Sequence, residues 1–260
     1  MSESLRDQVE HEGWGISQEK VSPLQLQELC QGLEKALEIR RSVQVRNGIA
    51  EMTAGTGHHL VDPDSVFLRW LDPLTRSAAF QVVEDLLGGK AILNSFGAVD
   101  NRREYEQYVG KVHRDVRSYT RDVRLMMQIL VMLDDFTPEK GATLLLPGSH
   151  LSGERPSDDE FSRRAVPALG EAGQTLVFDS RMWHAAGRNT TDSPRRALTL
   201  TFTRPFIKPQ FDYCRYLGYS TCEQCPENVK RLLGYYARVP SSLDEWYQPP
   251  ERRFYRSDQG

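Results

Sequence analysis

The sequence predicts an all-β core with flanking helices, in which short strands form a sandwich or a barrel. Three features of the chain support this prediction. Leucines recur at roughly helical spacing between residues 24 and 37, short apolar runs alternate with Gly, Pro and Asp from about residue 90, and residues 197–203 alternate strictly between large apolar and small side chains. Several short strands separated by turn residues are typical of such a core.

Residues 1–90 are predicted to form a mostly helical N-terminal layer. We interpret residues 1–21 as polar and partly irregular. Ser22-Pro23 then begins a helix, because serine caps the free N–H groups of the first turn and proline fits the first helical position. A second helix is predicted over 75–87, and it ends at Gly88-Gly89, where glycine adopts the left-handed conformation that closes a helix.

Four strands are predicted in the next part of the chain, over 124–133, from 143 into the Pro-Gly turn before 150, over 174–179 and over 197–203. The first run is continuously apolar apart from Gln128, which favours a buried central strand, although a short buried helix fits the same pattern. We therefore predict a single domain over 1–260, with the β core at about 90–210. A helical and irregular tail follows at 211–260.

The composition indicates a globular protein that is neither a nucleic-acid binder nor a membrane protein. Hydrophobic residues make up 39% of the chain, charged residues 27%, and the net charge is −3, whereas a nucleic-acid-binding surface is basic. No apolar run approaches the about 18 residues that a membrane helix needs, and the polar, acidic N-terminus does not resemble a secretory signal. Four cysteines in 260 residues do not make a disulfide scaffold, so we expect a cytoplasmic location.

A candidate metal site begins in the segment KVHRDVRSY, residues 111–119. His113 and Asp115 are two residues apart, so in an extended chain their side chains point to the same side. Two histidines and one carboxylate on one face of the metal are the ligands of non-haem Fe(II) oxygenases. His184, just after the strand 174–179, is the candidate for the third ligand. The His-x-Asp triplet is also typical of a solvated loop, so the triplet alone leaves both interpretations open.

A candidate anion-binding residue lies eleven positions after His184. Arg195 shares the parity of the small residues of the strand 197–203, and Arg196 shares the parity of its large apolar residues. If the apolar face packs against helices, the small face looks into the cavity. Arg195 is then the better carboxylate partner, because the planar guanidinium matches a carboxylate with two hydrogen bonds. The apolar face could instead form the interior of a barrel, so parity alone leaves the choice open.

The order of these motifs resembles that of the phytanoyl-CoA dioxygenase family. The motifs are HRD at 113–115, DDFTPEKGATLLLPGSH at 134–150, WHAAGRN at 183–189 and RRALT from Arg195. The resemblance covers roughly residues 90–255, because the C-terminal segment RLLGYYARVPSSLDEWYQPPERRFY also looks like the tail of many members. It implies a double-stranded β-helix, or jelly-roll, core.

The resemblance also implies an Fe(II)- and 2-oxoglutarate-dependent dioxygenase that uses O₂ as its second cosubstrate. The ligands it implies for iron are His113, Asp115 and His184. Arg195 then holds the far carboxylate of 2-oxoglutarate. Gln128, the lone polar residue of its strand, is a candidate for a further cosubstrate contact, and a satisfied core amide is the alternative.

Two departures within the motifs bear on the chemistry. Halogenating relatives replace the carboxylate ligand with a small residue, whereas Asp115 is present here, which favours hydroxylation or another oxidative step. Some relatives carry polar residues two positions after the distal histidine and two after the arginine. This chain has Ala186 and Ala197 there, so part of that contact pattern is absent or replaced.

Four further residues are candidate substrate contacts: His58, His59, Asp179 and Trp183. The two histidines end the segment GTGHH, in which glycines permit unusual backbone angles, and a structural or exposed pair is the alternative. The aspartate and the tryptophan precede the proposed ligand His184, and a core position is the alternative for the tryptophan.

We predict a small-molecule substrate, in natural-product biosynthesis, and an acyl hydroxylase that acts on phytanoyl-CoA-like substrates is the alternative. A zinc deaminase would use Cys222 and Cys225, with Cys214 nearby, but a single CxxC is a weak signal. In such deaminases a His-x-Glu precedes Pro-Cys-x-x-Cys, whereas this chain has Asp115 and no proline before Cys222. A jelly-roll binding protein without catalysis is the last alternative.

Overall fold

The computed structural model describes residues 3–105 and 108–253, and within them nine strands form two antiparallel sheets. The strands are β1 (Trp14–Ser17), β2 (Thr56–His58), β3 (Ile92–Asn101), β4 (Met126–Met132), β5 (Thr143–Leu145), β6 (Val166–Pro167), β7 (Thr175–Asp179), β8 (His184–Ala186) and β9 (Arg195–Thr203). The larger sheet has the order β1-β7-β4-β9-β3-β2, and the smaller has the order β6-β5-β8. The strand predicted over 124–133 is β4, and its central position between β7 and β9 is confirmed.

Helices cover the two ends of the chain and one connection. They are α1 (Leu5–Glu12), α2 (Pro23–Arg46), α3 (Val66–Leu74), α4 (Ala78–Leu87), α5 (Asp158–Arg164), α6 (Tyr213–Leu217), α7 (Tyr219–Gln224), α8 (Glu227–Leu232) and α9 (Leu243–Trp246). Helix α2 begins as predicted, with the Ser22 side chain accepting a hydrogen bond from the Gln25 N–H and Pro23 in the first turn. This contact satisfies one of the N–H groups that a helix start leaves free.

Residues 3–21 are more regular than predicted. Helix α1 is followed directly by β1, and β1 pairs with β7 at one edge of the larger sheet. Trp14 and Ile16 pack against a buried apolar cluster, so tertiary contacts stabilise a strand of only four residues. A segment this short carries too little alternation to be recognised from sequence.

The second predicted helix is preceded by another helix that the pattern does not reveal. Helix α3 contains Pro73, and proline is more often found where helices end. Helix α4 begins at Ala78 after the cap Ser77, rather than at residue 75, and it ends as predicted at Gly88, which has a φ of 72°.

The larger sheet packs its apolar face against helices. The large side chains of β9 are buried in the main hydrophobic cluster, and the ring of Phe202 lies edge-on to that of Phe80 in α4 with centroids 5.3 Å apart. Each such burial contributes about 1.5–3 kcal/mol. The opposite face of β9 therefore looks into the space between the two sheets. Arg195 lies on that inner face, as the parity argument predicts.

The main hydrophobic cluster contains residues from Val9 to Leu233. The N-terminal helices, the larger sheet and the C-terminal helices thus contribute to one core, and the single domain over 1–260 stays a prediction. Helix α8 lies in the tail that was predicted as helical and irregular, and its residues Val229 and Leu232 are buried. In the described part of the chain, no helix has the length and apolar character to cross a membrane.

Candidate metal centre

A cavity of about 800 Å³ is lined by residues of both sheets and by the segment 108–117. The three candidate metal ligands, His113, Asp115 and His184, lie on its wall, and their ligand atoms are all within 4.8 Å of one another. Elsewhere in residues 3–105 and 108–253, no other group of three histidine, cysteine or acidic side chains converges in this way. The sequence prediction therefore identifies three residues that the fold brings together.

The backbone fixes the two histidines side by side. The His113 N–H donates to the His184 carbonyl at 3.0 Å, and the His184 N–H donates to the His113 carbonyl at 2.8 Å. The Asp115 N–H donates to the Ser180 carbonyl at 3.1 Å. The His-x-Asp triplet is thus attached to the edge of β8 and to the connection that precedes it. It is part of a structured cavity wall and not a solvated loop.

Both imidazole rings are oriented by the same kind of contact. Nδ1 of His113 lies 2.7 Å from the Lys111 carbonyl oxygen, and Nδ1 of His184 lies 3.1 Å from the Met182 carbonyl oxygen. Because a carbonyl only accepts, each Nδ1 carries the proton and each neutral ring keeps a lone pair on Nε2. Those Nε2 atoms lie 3.9 and 3.7 Å from the carboxylate oxygens of Asp115. Burial lowers the pKa of His184, which favours the neutral form that binds metals.

Gln128 connects the carboxylate to the larger sheet. Its Nε2 donates to Asp115, and its Oε1 accepts from the Thr201 hydroxyl at 3.0 Å. Thr201 in turn accepts from the Ser95 hydroxyl at 3.3 Å. The amide is therefore satisfied by protein groups while it lines the cavity, and it orients Asp115. A direct contact between Gln128 and a cosubstrate stays a prediction.

Arg195 is a buried cation with hydrogen-bonding capacity left over. It is 1% exposed, its Nη2 donates to the Gly141 carbonyl at 2.9 Å, and its guanidinium lies 4.6 Å from the Phe136 ring centroid. Its Nε has no hydrogen-bond partner in the part of the chain that the structure describes. Burial lowers the pKa of Arg195 to about 10, so it is still cationic at neutral pH. Arg196, by contrast, makes two hydrogen bonds of 2.9 Å to Asp134.

The GTGHH segment contributes one histidine to the cavity. His58 lines it, and its Nε2 lies 3.0 Å from the Tyr108 hydroxyl. His59 is not on the cavity wall. Its ring stacks on Phe211 with centroids 4.2 Å apart, and its Nδ1 lies 3.4 Å from the Tyr213 hydroxyl. The structure thus does not place the His59 ring on the cavity wall, and a contact between His59 and the substrate stays a prediction.

Asp179 also lies outside the described cavity wall, and a contact between Asp179 and the substrate stays a prediction. It is fully buried and bound by Arg181 and Arg124. Trp183 does line the cavity. Its indole N–H donates to the Glu154 carbonyl at 2.8 Å, which fixes the plane of the ring and leaves Trp183 a candidate substrate contact.

The three C-terminal cysteines belong to the packing of the tail. Cys214 and Cys222 are buried and Cys225 is half-buried. Within the described ranges, none of them joins a group of three potential metal ligands. The zinc deaminase alternative therefore has no set of ligands to support it.

Sequence reasoning missed a set of basic residues on the same cavity wall: Lys111, Arg114, Arg117 and Arg155. The signal was present in KVHRDVRSY, where three cations recur at every third position around the His-x-Asp triplet. Alternation directs Arg114 away from the two ligands that flank it, yet its long side chain still reaches the cavity.

The phytanoyl-CoA dioxygenase (PhyH) family profile matches residues 15–197. This range covers more than half of the chain, so the chain belongs to that family. The predicted family is confirmed, and the predicted enzyme class, an oxidoreductase of the dioxygenase type, agrees with it.

Two relatives and one solved structure show how far the similarity extends. The protein Rv1501 of Mycobacterium tuberculosis is 48% identical over 134 residues, which are 52% of this chain and 49% of that protein. The dioxygenase FUM3 of Gibberella moniliformis is 29% identical over 138 residues, covering 50% of this chain and 45% of that protein. The chain thus matches about half the length of these curated relatives. The crystal structure of SnoK, a non-haem α-ketoglutarate-dependent carbocyclase from nogalamycin biosynthesis, shares 17% identity with a TM-score of 0.59, covering 78% of this chain and 84% of SnoK. This likeness confirms the predicted jelly-roll fold.

Proposed function

We propose that the chain is an Fe(II)- and 2-oxoglutarate-dependent dioxygenase that oxidises a C–H bond of a small molecule, by hydroxylation or a related step. One observation supports this proposal above the others. His113, Asp115 and His184 converge in one cavity, and backbone carbonyls hold both imidazole Nδ1 atoms so that both Nε2 atoms are free for a metal.

The three side chains suit iron. Two neutral imidazoles and one carboxylate are the facial set of non-haem Fe(II) oxygenases, which leaves further coordination positions open. When bound there, iron supplies the redox chemistry by which O₂ and 2-oxoglutarate drive substrate oxidation. Asp115 is kept in place by Gln128 on one side and by its own N–H on the other, so the protein contributes a preorganised set of ligands.

The pocket also suits 2-oxoglutarate. A buried guanidinium with an unpartnered Nε favours an anionic ligand, because an unpaired buried charge is costly. Thr143 lies directly opposite Ala186 in the ladder between β5 and β8, and both line the cavity. Since directly opposed residues share one face of a sheet, the Thr143 hydroxyl can replace the polar side chain that Ala186 lacks. We therefore assign Arg195 and Thr143 to the cosubstrate.

The remaining walls bind and orient the substrate. His58 and Tyr108 form a hydrogen-bonded pair at one side, and Trp183 offers a ring held in a fixed plane. Apolar side chains such as Met126 and Phe178 complete the wall and keep water from the place where the C–H bond must lie.

For the substrate, we propose a small molecule of natural-product biosynthesis. The support is that SnoK comes from nogalamycin biosynthesis and that FUM3 is named a dioxygenase. Action on phytanoyl-CoA-like acyl substrates is the alternative. A cytoplasmic location stays a prediction.

Purified chain with Fe(II), 2-oxoglutarate and O₂ tests the proposal by release of succinate, slowly without substrate and faster when a substrate from a screen is present. Asp115→Ala, which should abolish the release, is the control for contaminating activity. Absence of succinate with every candidate, together with failure to bind Fe(II), would make the chain a binding protein.

A further inference from the structure

We propose that the mouth of this cavity binds an anionic group of the substrate, a carboxylate or a phosphate carried apart from the C–H bond that is oxidised. This inference rests on the proposed function, because it concerns the substrate of the same site. It narrows the substrate class from small molecules in general to organic anions.

The charge of the cavity wall is the first observation. Four cationic side chains line it besides Arg195: Lys111, Arg114, Arg117 and Arg155. Asp115 is the only carboxylate among the described lining residues, and as a metal ligand it would be neutralised. The chain as a whole carries a formal net charge of −3, so this concentration of cations is local and runs against the average. A cleft lined by one sign of charge attracts ligands of the opposite sign.

The second observation is that, among the described residues, three of these cations form no ion pair with a carboxylate and the fourth forms only a weak one. Arg155 lies 3.8 Å from Asp158, and both side chains are well exposed, so the pair is weak. For Lys111, Arg114 and Arg117, no ion pair to an acidic side chain is formed within residues 3–105 and 108–253. Cations on an ordinary surface are commonly interspersed with acidic groups, whereas this group leaves its charge directed at the cavity and at solvent.

Arg114 is the best organised member of the group. Its guanidinium lies over the ring of Trp183, 5.1 Å from the ring centroid, and the Trp183 indole is itself held by the Glu154 carbonyl. Nη1 of Arg114 is buried and has no hydrogen-bond partner in the described chain. Nη2 of Arg114 makes only a long hydrogen bond of 3.5 Å to the Arg117 carbonyl, so the stacked guanidinium still has donors to offer to a carboxylate or phosphate.

The position of the group separates it from the cosubstrate pocket. Arg195 is 1% exposed and lies inside the cavity, whereas Lys111, Arg117 and Arg155 are exposed at its edge. Arg114 lies between the ligands His113 and Asp115 in the chain, so one member of the basic group is the sequence neighbour of two metal ligands. A substrate held there by its anionic group presents the rest of its skeleton to the iron.

The experiment uses the full chain as its anaerobic Fe(II)–2-oxoglutarate complex, in which Arg195 is already occupied. Three probes that share one ring system are titrated by calorimetry: 2-naphthoate, 2-naphthyl phosphate and neutral 2-naphthol. We expect at least one anion to bind about tenfold more tightly than 2-naphthol, and its advantage should shrink as ionic strength rises. The carboxylate and phosphate arms show which anion the mouth prefers.

Matched variants locate the effect. Arg114→Gln and Lys111→Gln should each remove most of the anion preference and leave 2-naphthol binding unchanged. Arg163→Gln makes the same change of charge on the exposed face of α5, away from the cavity wall, and should change nothing. Equal affinity for all three probes, or a preference that survives in Arg114→Gln and Lys111→Gln, would overturn the proposal.

The same titrations without iron and 2-oxoglutarate separate the two proposals. If the protein fails to bind 2-oxoglutarate with Fe(II) but shows an anion preference that Arg114→Gln removes, the anion site at the mouth is supported and the dioxygenase assignment fails. If 2-oxoglutarate binds and succinate forms while the naphthyl anions show no advantage, the dioxygenase assignment stands and the anionic substrate is rejected.

Discussion

Two aspartates near the start of β8 differ in how far the protein itself satisfies them. Asp179 is fully buried and is bound by Arg181, Arg124 and the Arg181 N–H. Burial alone would raise the pKa of Asp179, but these donors hold it below its ordinary value. The side chain of Asp115 is 27% exposed, and the amide of Gln128 is its one described hydrogen-bond donor. It faces two imidazoles whose lone pairs are free.

The two arginines at the start of β9 repeat this contrast. Arg196 is neutralised by Asp134, whereas Arg195 is more deeply buried and keeps an unpartnered Nε. A polar group that is saturated by its neighbours holds the fold together, and a buried group with bonding capacity left over marks the place of a ligand. Substitutions of the saturated residues should therefore lower the stability of the fold, whereas substitutions of the unsaturated residues should lower activity and leave the fold intact.

The largest expected effect is on stability, at Asp179. Asp179→Asn should lower the free energy of unfolding by about 3–5 kcal/mol, because it leaves two arginines buried without a counter-charge. Urea denaturation measures the loss. Asn, which keeps the size of the side chain, excludes a simple cavity effect. A loss below about 1 kcal/mol would show that the cluster is less important for the fold than its geometry indicates.

Asp115→Ala should have the opposite profile. Turnover, measured as succinate release with substrate, should fall by at least about 100-fold, since even residues that only orient metal ligands cost 10–100-fold. The free energy of unfolding of the metal-free protein should change by less than about 1 kcal/mol. Loss of Fe(II) binding by calorimetry completes the test. A variant that unfolds instead would remove the distinction between the two aspartates.

The sequence allows part of this contrast to be predicted. The strands β4, β7 and β9 are visible as apolar or alternating runs, and motif order identifies His113, Asp115 and His184. The partners of Asp179 are not visible, because Arg124 is 55 positions away in the chain and only the fold brings them together. The spacing of residues in the sequence reveals strands and helices. Whether a polar side chain has all its hydrogen bonds made depends on residues far away in the chain.

Arg195→Gln should raise the KM for 2-oxoglutarate by at least about 30-fold, because truncating one partner of a buried charge pair costs 2 kcal/mol or more. Arg196→Gln is the matched control, and it should leave that KM unchanged while destabilising the fold through the loss of Asp134's partner. The 2-oxoglutarate dependence of succinate release measures both variants. If Arg196→Gln raises the KM and Arg195→Gln does not, the assignment by strand face is wrong.

Gln128 tests whether a residue whose hydrogen bonds are all made to protein groups can still contribute to the metal site by positioning a ligand. Gln128→Leu should weaken Fe(II) binding about tenfold, because Asp115 loses the donor that orients it. The KM for 2-oxoglutarate, measured at saturating iron, should stay unchanged if Gln128 only positions the ligand. A rise in that KM with unchanged Fe(II) affinity would instead assign Gln128 to the cosubstrate. Thr201→Val, which breaks the next hydrogen bond along, should give a smaller effect of the same kind.

The smallest expected effect concerns His59, the packed neighbour of His58. Burial lowers the pKa of His59 to about 4, so between that value and its ordinary pKa the unfolded chain binds more protons than the folded one. Stability should therefore fall as the pH falls from about 6.5 to 4. His59 should account for about 1 kcal/mol of this loss of stability, less than a fully buried group would, because its ring is partly exposed.

The free energy of unfolding, measured at several pH values, should fall less steeply below pH 6.5 in His59→Asn than in wild type. Asparagine is chosen because it tolerates the positive φ at this position. His11→Asn is the control of opposite sign, since Glu3 raises the pKa of His11. If the free energy of unfolding falls equally steeply with pH in His59→Asn and in wild type, His59 is protonated as easily in the folded protein as in the unfolded chain.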